Sequence, residues 1–344
     1  MVERKGARVV LFVLLCGVCA AVAIVYVGRR VQATTQPIAS AEATDPALLP
    51  ALLSQPHVIF AHTTDLIHRR LAVAPLDAPE SARYISTQPC ERVYFSTGNG
   101  LCLGSQERYY GNRGARQFDA ALTLGRQYDQ VQGISTRARV SADGRYGSLT
   151  VFVSGDSYAA QFSTRTFILD LTSGRDLGTL EEFTVYRDGA VFQSPDFNFW
   201  GTTFAADGNR FYATLGTGSA TLTTYLVEGD LARRTMQVLK TNVECPSLSP
   251  DGKRIAFKKR IARTSLWRLA VLDLDTLQDT VLDEDRSVDD QVEWLDDDHI
   301  LYGVIRETPD SNGNISENVW ITSVSGAERP RIFLEDAMSP VVVR

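Results

Sequence analysis

The sequence predicts an all-β chain folded as a six-bladed β-propeller, and three observations lead to this expectation. A short phrase containing Asp-Gly recurs, an apolar run stands on each side of every copy, and the copies are spaced by about the length of a propeller blade. Three copies keep the glycine and a fourth has lost it: residues 140–145, 204–209, 248–253 and 294–299. Repetition at intervals of tens of residues is typical of solenoids, propellers and other repeat arrays.

The recurring phrase has the chemistry of a tight turn between two strands. In its third copy, Pro250 presets a φ of about −65°, Asp251 can accept hydrogen bonds from the backbone that follows it, and Gly252 tolerates a positive φ. The first two copies keep the aspartate and the glycine, and we predict the same turn for Asp143, Gly144, Asp207 and Gly208.

The spacing of the copies matches a four-stranded blade. The aspartates at positions 143, 207, 251 and 297 are 64, 44 and 46 residues apart, and a blade takes roughly 40–50 residues. The first interval therefore holds one blade and about 20 further residues. We place this insertion around residues 181–200.

The first 56 residues are expected to lie outside the propeller. Residues 9–27 contain no charge over 19 positions, and a helix rising about 1.5 Å per residue would nearly span the roughly 30 Å of a bilayer core. The flanking cations favour a cytoplasmic tail at residues 1–8 and an exported propeller. A secretory signal that is cleaved is the alternative. Residues 28–56 are interpreted as a flexible linker.

Residues 57–344 remain, and these 288 residues are enough for six blades of about 48 residues each. The first blade shows three predicted strands and lacks a fourth. A closed ring requires the two ends of the chain to share a blade, because an open edge strand leaves backbone groups unpaired. We therefore predict that a C-terminal strand at residues 340–343 completes the first blade.

Two of the five cysteines are placed to form a disulfide. Cys90 and Cys102 flank the hairpin signal Thr97-Gly98-Asn99-Gly100. In an oxidising compartment a bond across this hairpin is geometrically reachable, and it would contribute about 2–3 kcal/mol. Two buried free thiols on neighbouring strands are the alternative.

The composition argues against several functions. The net charge is −6, so we expect no nucleic-acid partner. The Gly-x-Ser-x-Gly motif of serine hydrolases does not occur in the sequence. The four histidines are interpreted as surface or strand-end residues, with a metal ligand or general base as the alternative: His57, His62, His68 and His299.

Two further segments have alternative interpretations. The acidic run at residues 283–298 holds nine carboxylates, and Asp296, Asp297 and Asp298 could bind calcium. Because no EF-hand spacing is present, a solvated loop is the stronger expectation. The aromatic run at residues 197–200 and the loop at residues 109–113 could be binding anchors, although packing between blades is the stronger expectation.

The phrase at residues 248–257, Leu-Ser-Pro-Asp-Gly-Lys-Arg-Ile-Ala-Phe, resembles the repeat of the TolB-type six-bladed propeller family, which shares WD40-like repeats. The whole chain resembles the membrane-anchored TolB-like proteins of high-GC Gram-positive bacteria. TolB itself carries an additional amino-terminal α/β domain, for which residues 28–56 are too short. The resemblance implies an extracytoplasmic scaffold that binds other proteins without chemistry of its own.

The expected function is therefore that of a non-enzymatic, monomeric propeller, anchored in the membrane by its N-terminal helix and exposed outside the cell. Its expected partner is an envelope protein or a wall polymer, and no cofactor, catalytic residue or metal site is predicted. The alternative is a propeller hydrolase or cyclase that acts on a small substrate in the central channel. A pocket on the axis with converging carboxylates and histidine would favour that alternative, whereas an axis filled by apolar side chains and water would favour the scaffold.

Overall fold

The computed structural model describes residues 14–23, 44–63, 69–104, 114–154, 163–218, 222–262, 264, 266–306 and 315–344. The chain forms two compact units, Met1–Ala43 and Thr44–Arg344. In the first unit, residues 14–23 are helical. Both ends of the span predicted for residues 9–27 lie outside the described residues. Within the described part of the chain, no helix is long and apolar enough to cross a membrane.

The second unit confirms the predicted six-bladed propeller. A short 3-10 turn, Pro46–Leu48, and a helix, Leu49–Leu53, precede the first blade, and Leu52 of that helix is buried against it. Blades 1 to 3 contain the following strands, from the axis outwards: β26 (Ala337–Val343), β1 (His57–Thr63), β2 (Arg69–Pro75) and β3 (Tyr84–Pro89); β4 (Arg92–Ser96), β5 (Asn99–Leu103), β6 (Ala115–Phe118) and β7 (Leu124–Tyr128); β8 (Ile134–Val140), β9 (Tyr146–Ser154), β10 (Ser163–Asp170) and β11 (Arg175–Thr179).

Blade 4 carries two additional strands on its outer edge, whereas blades 5 and 6 have four strands each. In the same order they contain β14 (Asn198–Phe204), β15 (Arg210–Thr217), β16 (Thr223–Asp230), β17 (Thr235–Thr241), β12 (Thr184–Arg187) and β13 (Ala190–Phe192); β18 (Glu244–Leu248), β19 (Arg254–Arg260), β20 (Trp267–Asp273) and β21 (Asp279–Val281); β22 (Glu293–Trp294), β23 (His299–Ile305), β24 (Glu317–Ser323) and β25 (Arg331–Leu334).

The insertion around residues 181–200 is the β12–β13 hairpin together with its flanking residues. β12 pairs in parallel with β17, so the hairpin widens the sheet of blade 4. Its turn is formed by Asp188 and Gly189, both at positive φ. A two-residue turn of this kind matches the right-handed twist of the strands that it joins.

Each blade is packed between two neighbours, which explains the nearly continuous apolar runs of the strands. In β19, Ile255 and Phe257 belong to the core shared with blade 4, whereas Ala256 belongs to the core shared with blade 6. Successive side chains of a strand point to opposite faces of the sheet. A central strand with both faces covered therefore requires apolar residues at consecutive positions.

The six inner strands form a closed circle. Each contacts the next in the order β26, β4, β8, β14, β18, β22 and back to β26. The ring closes within blade 1, where β26 pairs antiparallel with β1 and sets Val341 opposite Ile59 and Met338 opposite Ala61. The terminal strand begins three residues earlier than the predicted segment 340–343, at Ala337.

Deleting the last seven residues, 338–344, should strongly destabilise the propeller. The deletion removes Met338 and Val341, each 1% exposed, and burial of two such side chains contributes about 3–6 kcal/mol. It also leaves β1 with an open inner edge. Because 1 kcal/mol corresponds to about 2–4 °C in a domain of this size, the melting temperature should fall by about 10 °C or more.

Deletion of Arg344 alone is the matched control, since Arg344 is exposed and follows the last paired residue. This variant should melt within about 2 °C of the full chain. A seven-residue truncation that melts like the full chain would show that β26 is not needed for closure.

Candidate functional site

The candidate site lies on the propeller axis, where the inner strands meet. Eight polar side chains converge there from four blades, and we call them the axial cluster: Arg92, Tyr94, Arg137, Arg139, Lys258, Asp289, Asp290 and Glu293. Blades 2 and 3 supply arginines from β4 and β8, while blade 6 supplies carboxylates from the segment that enters β22. In the axial cluster, the arginines of blades 2 and 3 therefore lie opposite the carboxylates of blade 6.

Ion pairs hold the part of the axial cluster around Asp289 and Asp290. Arg92 Nη1 lies 3.2 Å from Asp290 Oδ1, and Arg137 Nη2 lies 3.3 Å from Asp289 Oδ1. The ammonium of Lys258, whose side chain is 1% exposed, also donates to Asp289. Burial acts to raise the pKa of the Asp289 carboxyl, but the charges of Lys258 and Arg137 together lower it to about 2. Asp289 is therefore ionised at neutral pH.

The side chain of Arg139 extends across the axis from blade 3 to blade 6. From blade 3 its Nη2 donates to the carbonyl of Val292 at 2.5 Å, and its Nη1 lies 3.8 Å from Glu293 Oε2. Its guanidinium also stacks 4.4 Å from the ring centroid of Tyr94 in blade 2. Burial raises the pKa of Glu293, and the charge of Arg139 opposes that shift. One side chain thus connects blades 2, 3 and 6 across the channel.

The amide of Gln291 connects blade 6 to blades 4 and 5 across the axis. Its Nε2 donates to the carbonyls of Thr202, at 2.9 Å, and Pro246, at 2.8 Å. Glu293 Oε1 also accepts from Val342 N of blade 1 at 3.5 Å. The axial segment, residues 289–293, is therefore bonded to every other blade of the ring.

A cavity of about 430 Å³ opens beside the axial segment. It lies where the second strand of blade 6 ends and the third begins, on what we call the cavity face. Its volume is within the range of about 300–1,000 Å³ found for ligand pockets. Residues of both charges line it: Arg92, Arg286, Ser287, Asp289, Asp290, Gly303, Val304, Ile305 and Glu317. Arg286 is held against the Trp320 ring at 3.4 Å and by Glu284.

The predicted turn residues lie away from the axial cluster, in the hairpins that join inner and second strands. Gly144, Gly208 and Gly252 have φ values of 71°, 71° and 72°. The preceding aspartate accepts from the backbone two residues later in each hairpin, from Arg145 N to Asp143, from Asn209 N to Asp207 and from Lys253 N to Asp251. The turns have a structural role here.

The structure contains the disulfide between Cys90 and Cys102. Their Cα atoms are 5.5 Å apart, and both residues are fully buried. The bond joins the residue between blades 1 and 2 to the second strand of blade 2. Cys245 is a buried free thiol.

Two parts of the acidic run have different surroundings. Asp296 accepts from Asp298 N and His299 N, and Asp298 accepts from Ser323 Oγ, so both carboxylates hold a hairpin. Across the described residues, no group of histidine, cysteine, aspartate and glutamate side chains is arranged to hold a metal ion. The other part, the axial segment, was missed by sequence analysis. The sequence pattern that could have indicated it is the pair of arginines at alternate positions 137 and 139, which lie on one face of an inner strand.

The remaining candidates lie outside the site. His57 Nδ1 bonds to the carbonyl of Gln55, His299 Nδ1 bonds to Asp296, and His68 lies outside the described residues. Phe199 and Trp200 of the aromatic run are buried in blade 4, and Phe197 packs edge-on against Phe199. The loop at residues 109–113 lies outside the described residues.

Comparison with known proteins supports the fold. The sequence matches no protein-family model, and no curated protein matches it. Among solved structures, TolB from Acinetobacter baumannii has a TM-score of 0.59 and 14% identity, covering 83% of this chain and 66% of that one. A chain of a nidogen/laminin complex has a TM-score of 0.54 and 11% identity, covering 84% of this chain and 98% of that one. The fold is thus a propeller similar to that of TolB, and the chain spans just under two thirds of the first protein's length.

Replacing Arg139 with methionine should destabilise the propeller by about 3 kcal/mol, because the change leaves the buried Glu293 carboxylate without its cation. The free energy of unfolding in urea measures the loss. The double variant R139M/E293Q should recover a large part of it, since the stranded charge is then removed. Equal losses in the single and double variants would show that the pair is not coupled.

His62 should make the propeller less stable in mild acid. Burial, followed by the charge of Arg83, lowers the pKa of His62 to about 4, whereas the unfolded chain binds this proton near a pH of about 6.5. The stability that the neutral ring contributes is therefore present above a pH of about 6.5 and is lost as the pH falls towards about 4. His62→Gln should flatten the unfolding free energy between these values. An unchanged pH dependence in His62→Gln would show that this ring does not cause the loss of stability.

Proposed function

We propose that this chain is a non-enzymatic, protein-binding propeller of the cell envelope, which recognises its partner at the cavity face. The observation that carries the proposal is the mutual pairing of charges on the axis. Asp289, Asp290 and Glu293 each face an arginine or a lysine, and the cavity beside them remains open. A polar recess whose charges are already paired is suited to binding the surface of a partner protein.

The state of these groups supports binding over catalysis. A general acid or base works best when its pKa lies near the operating pH, whereas the pKa of Asp289 is about 2. Among the described residues that line the cavity, the hydroxyl is that of Ser287, and its Oγ accepts from Trp267 N at 3.1 Å. A serine hydroxyl needs an adjacent base to become a nucleophile, and the described lining of the cavity contains no histidine.

Exposed apolar side chains support the cavity face as the binding surface. Ile305 borders the cavity and is 54% exposed, and Leu266 and Ile261 of blade 5 are 48% and 38% exposed. Val153 of blade 3 is 42% exposed. All four stand at the junction between the second and third strand of a blade, and these junctions lie on one side of a propeller. Apolar groups around a polar recess are typical of protein–protein interfaces.

The proposed location is the outer side of a membrane, with the N-terminal segment as anchor. The run of 19 uncharged residues at positions 9–27 supports this assignment. Within it, the side chains of Leu14, Leu15, Val18 and Val22 are each about 60% exposed, as expected for a helix that contacts lipid. Secretion after cleavage of this segment is the alternative, and in that case the mature protein would lack residues 9–27.

Photo-crosslinking in native membranes tests the proposal. A photoreactive amino acid at position 305 should capture a specific protein, because Ile305 borders the proposed binding surface. The same probe at Val191, which is 54% exposed on the outer hairpin of blade 4, is the matched control. If position 305 captures no protein beyond those captured at position 191, the cavity face is not the binding surface.

The mass of the protein recovered from membranes distinguishes the anchored form from the cleaved one.

A further inference from the structure

The inner strand of blade 6 is incomplete. β22 has two residues, whereas the inner strands of the other blades have five or seven. β22 pairs with Ile300 and Leu301 of β23. Within the part of the chain that the structure describes, no inner strand pairs with β23 beyond Leu301. The cavity lies at this point.

The backbone of β23 presents its hydrogen-bonding groups to the cavity. On the outer side of the strand, Arg306 N donates to the carbonyl of Ser316. Because N–H groups alternate in direction along a strand, those of Gly303 and Ile305 point to the inner side. Gly303 N donates to Asp290 Oδ2 at 2.8 Å, in the place of a strand partner. The N–H of Ile305 is next in this row, and Ile305 lines the cavity.

We infer that the cavity binds an extended peptide segment of a partner protein, which pairs with β23 and completes the inner strand of blade 6. This inference rests on the proposed function and names the mode by which the partner is held. Addition of a strand to an open edge is an established way for proteins to bind peptides. The main chain supplies the hydrogen bonds, and pockets for alternate side chains supply the selectivity.

The length of the gap defines the occupant. The complete inner strands have five or seven residues and β22 has two, so three to five residues are missing. At about 3.4 Å per residue, such a segment is roughly 10–17 Å long. Its free backbone edge would face the paired charges of Arg92 and Asp290 on the axial side, and its alternate side chains would point to the two faces of the blade. Because Arg139 and Gln291 cross the axis below, the segment enters from the cavity face.

Both signs of charge around the gap fit a peptide better than a strongly charged ligand. Arg92 is paired with Asp290, Arg286 with Glu284, and Arg69 with Glu317. The cations and carboxylates around the cavity therefore meet in pairs, and no single charge dominates the described lining. Backbone amides and carbonyls are the neutral, alternating donors and acceptors that such a strand edge recognises.

Selection from a synthetic library of random heptapeptides on the full-length chain in detergent tests the inference. The best peptides should bind Ile305→Pro at least tenfold more weakly, because proline removes the N–H on the cavity side while leaving the bond from Arg306 N to the carbonyl of Ser316. Ile305→Val is the matched control that keeps the N–H, and it should bind as tightly as the unchanged chain. Protection of the Ile305 amide from hydrogen exchange should increase when the peptide is bound.

Methylation of the peptide's own backbone nitrogens gives a second measurement that does not depend on a variant folding correctly. Methyl groups at alternate positions should weaken binding at least tenfold, and those at the intervening positions should have little effect. Equal tolerance of methylation at every position overturns the inference, as does a library that yields no binder sensitive to Ile305→Pro. If either of these outcomes is found while a partner is still crosslinked at position 305, strand pairing is refuted. The proposed protein-binding function is then still supported.

Discussion

The structure depends above all on the closure of its ring. Every blade has two apolar faces, and these are covered only when each blade has a neighbour on both sides. The pairing of β26 with β1 provides this arrangement for blades 1 and 6, whose shared core includes Phe60, Leu301 and Ala337. An open arc would leave two apolar faces and a row of backbone groups in water. The chain therefore places its last strand next to its first one.

Closure creates the axial cluster as a second consequence. Six inner strands meet around a narrow axis, and most of the charged side chains that face it have little access to water. Buried charges are costly unless they are paired, and the axial segment provides carboxylates opposite Arg92, Arg137 and Arg139. The same segment bonds to each of the other blades, so it fixes the blades relative to one another while filling the channel. This pairing gives the axial residues a structural role.

The axial segment also explains why the cavity lies in blade 6. The residues that would extend β22 towards the cavity face instead carry the side chains of Asp289, Asp290 and Gln291 into the axis. The inner strand is short as a result, and β23 retains an open inner edge beside a recess. Stabilisation of the ring and formation of the proposed binding site thus follow from the same stretch of chain. The disulfide and the Asp-Gly turns stabilise other parts of the ring.

Local chemistry made much of the architecture predictable. The turns depend on neighbouring residues, so an Asp-Gly pair such as Asp251 and Gly252 predicts a hairpin. The spacing between the copies of this pair predicts the number of blades. The cysteine pair spans one hairpin for the same reason. The axial cluster is different, because Arg139 and Glu293 lie 154 positions apart in the chain and meet only when the ring closes. The acidic run looked like a solvated loop in the sequence, and only the tertiary structure separated its hairpin carboxylates from those that neutralise the axis.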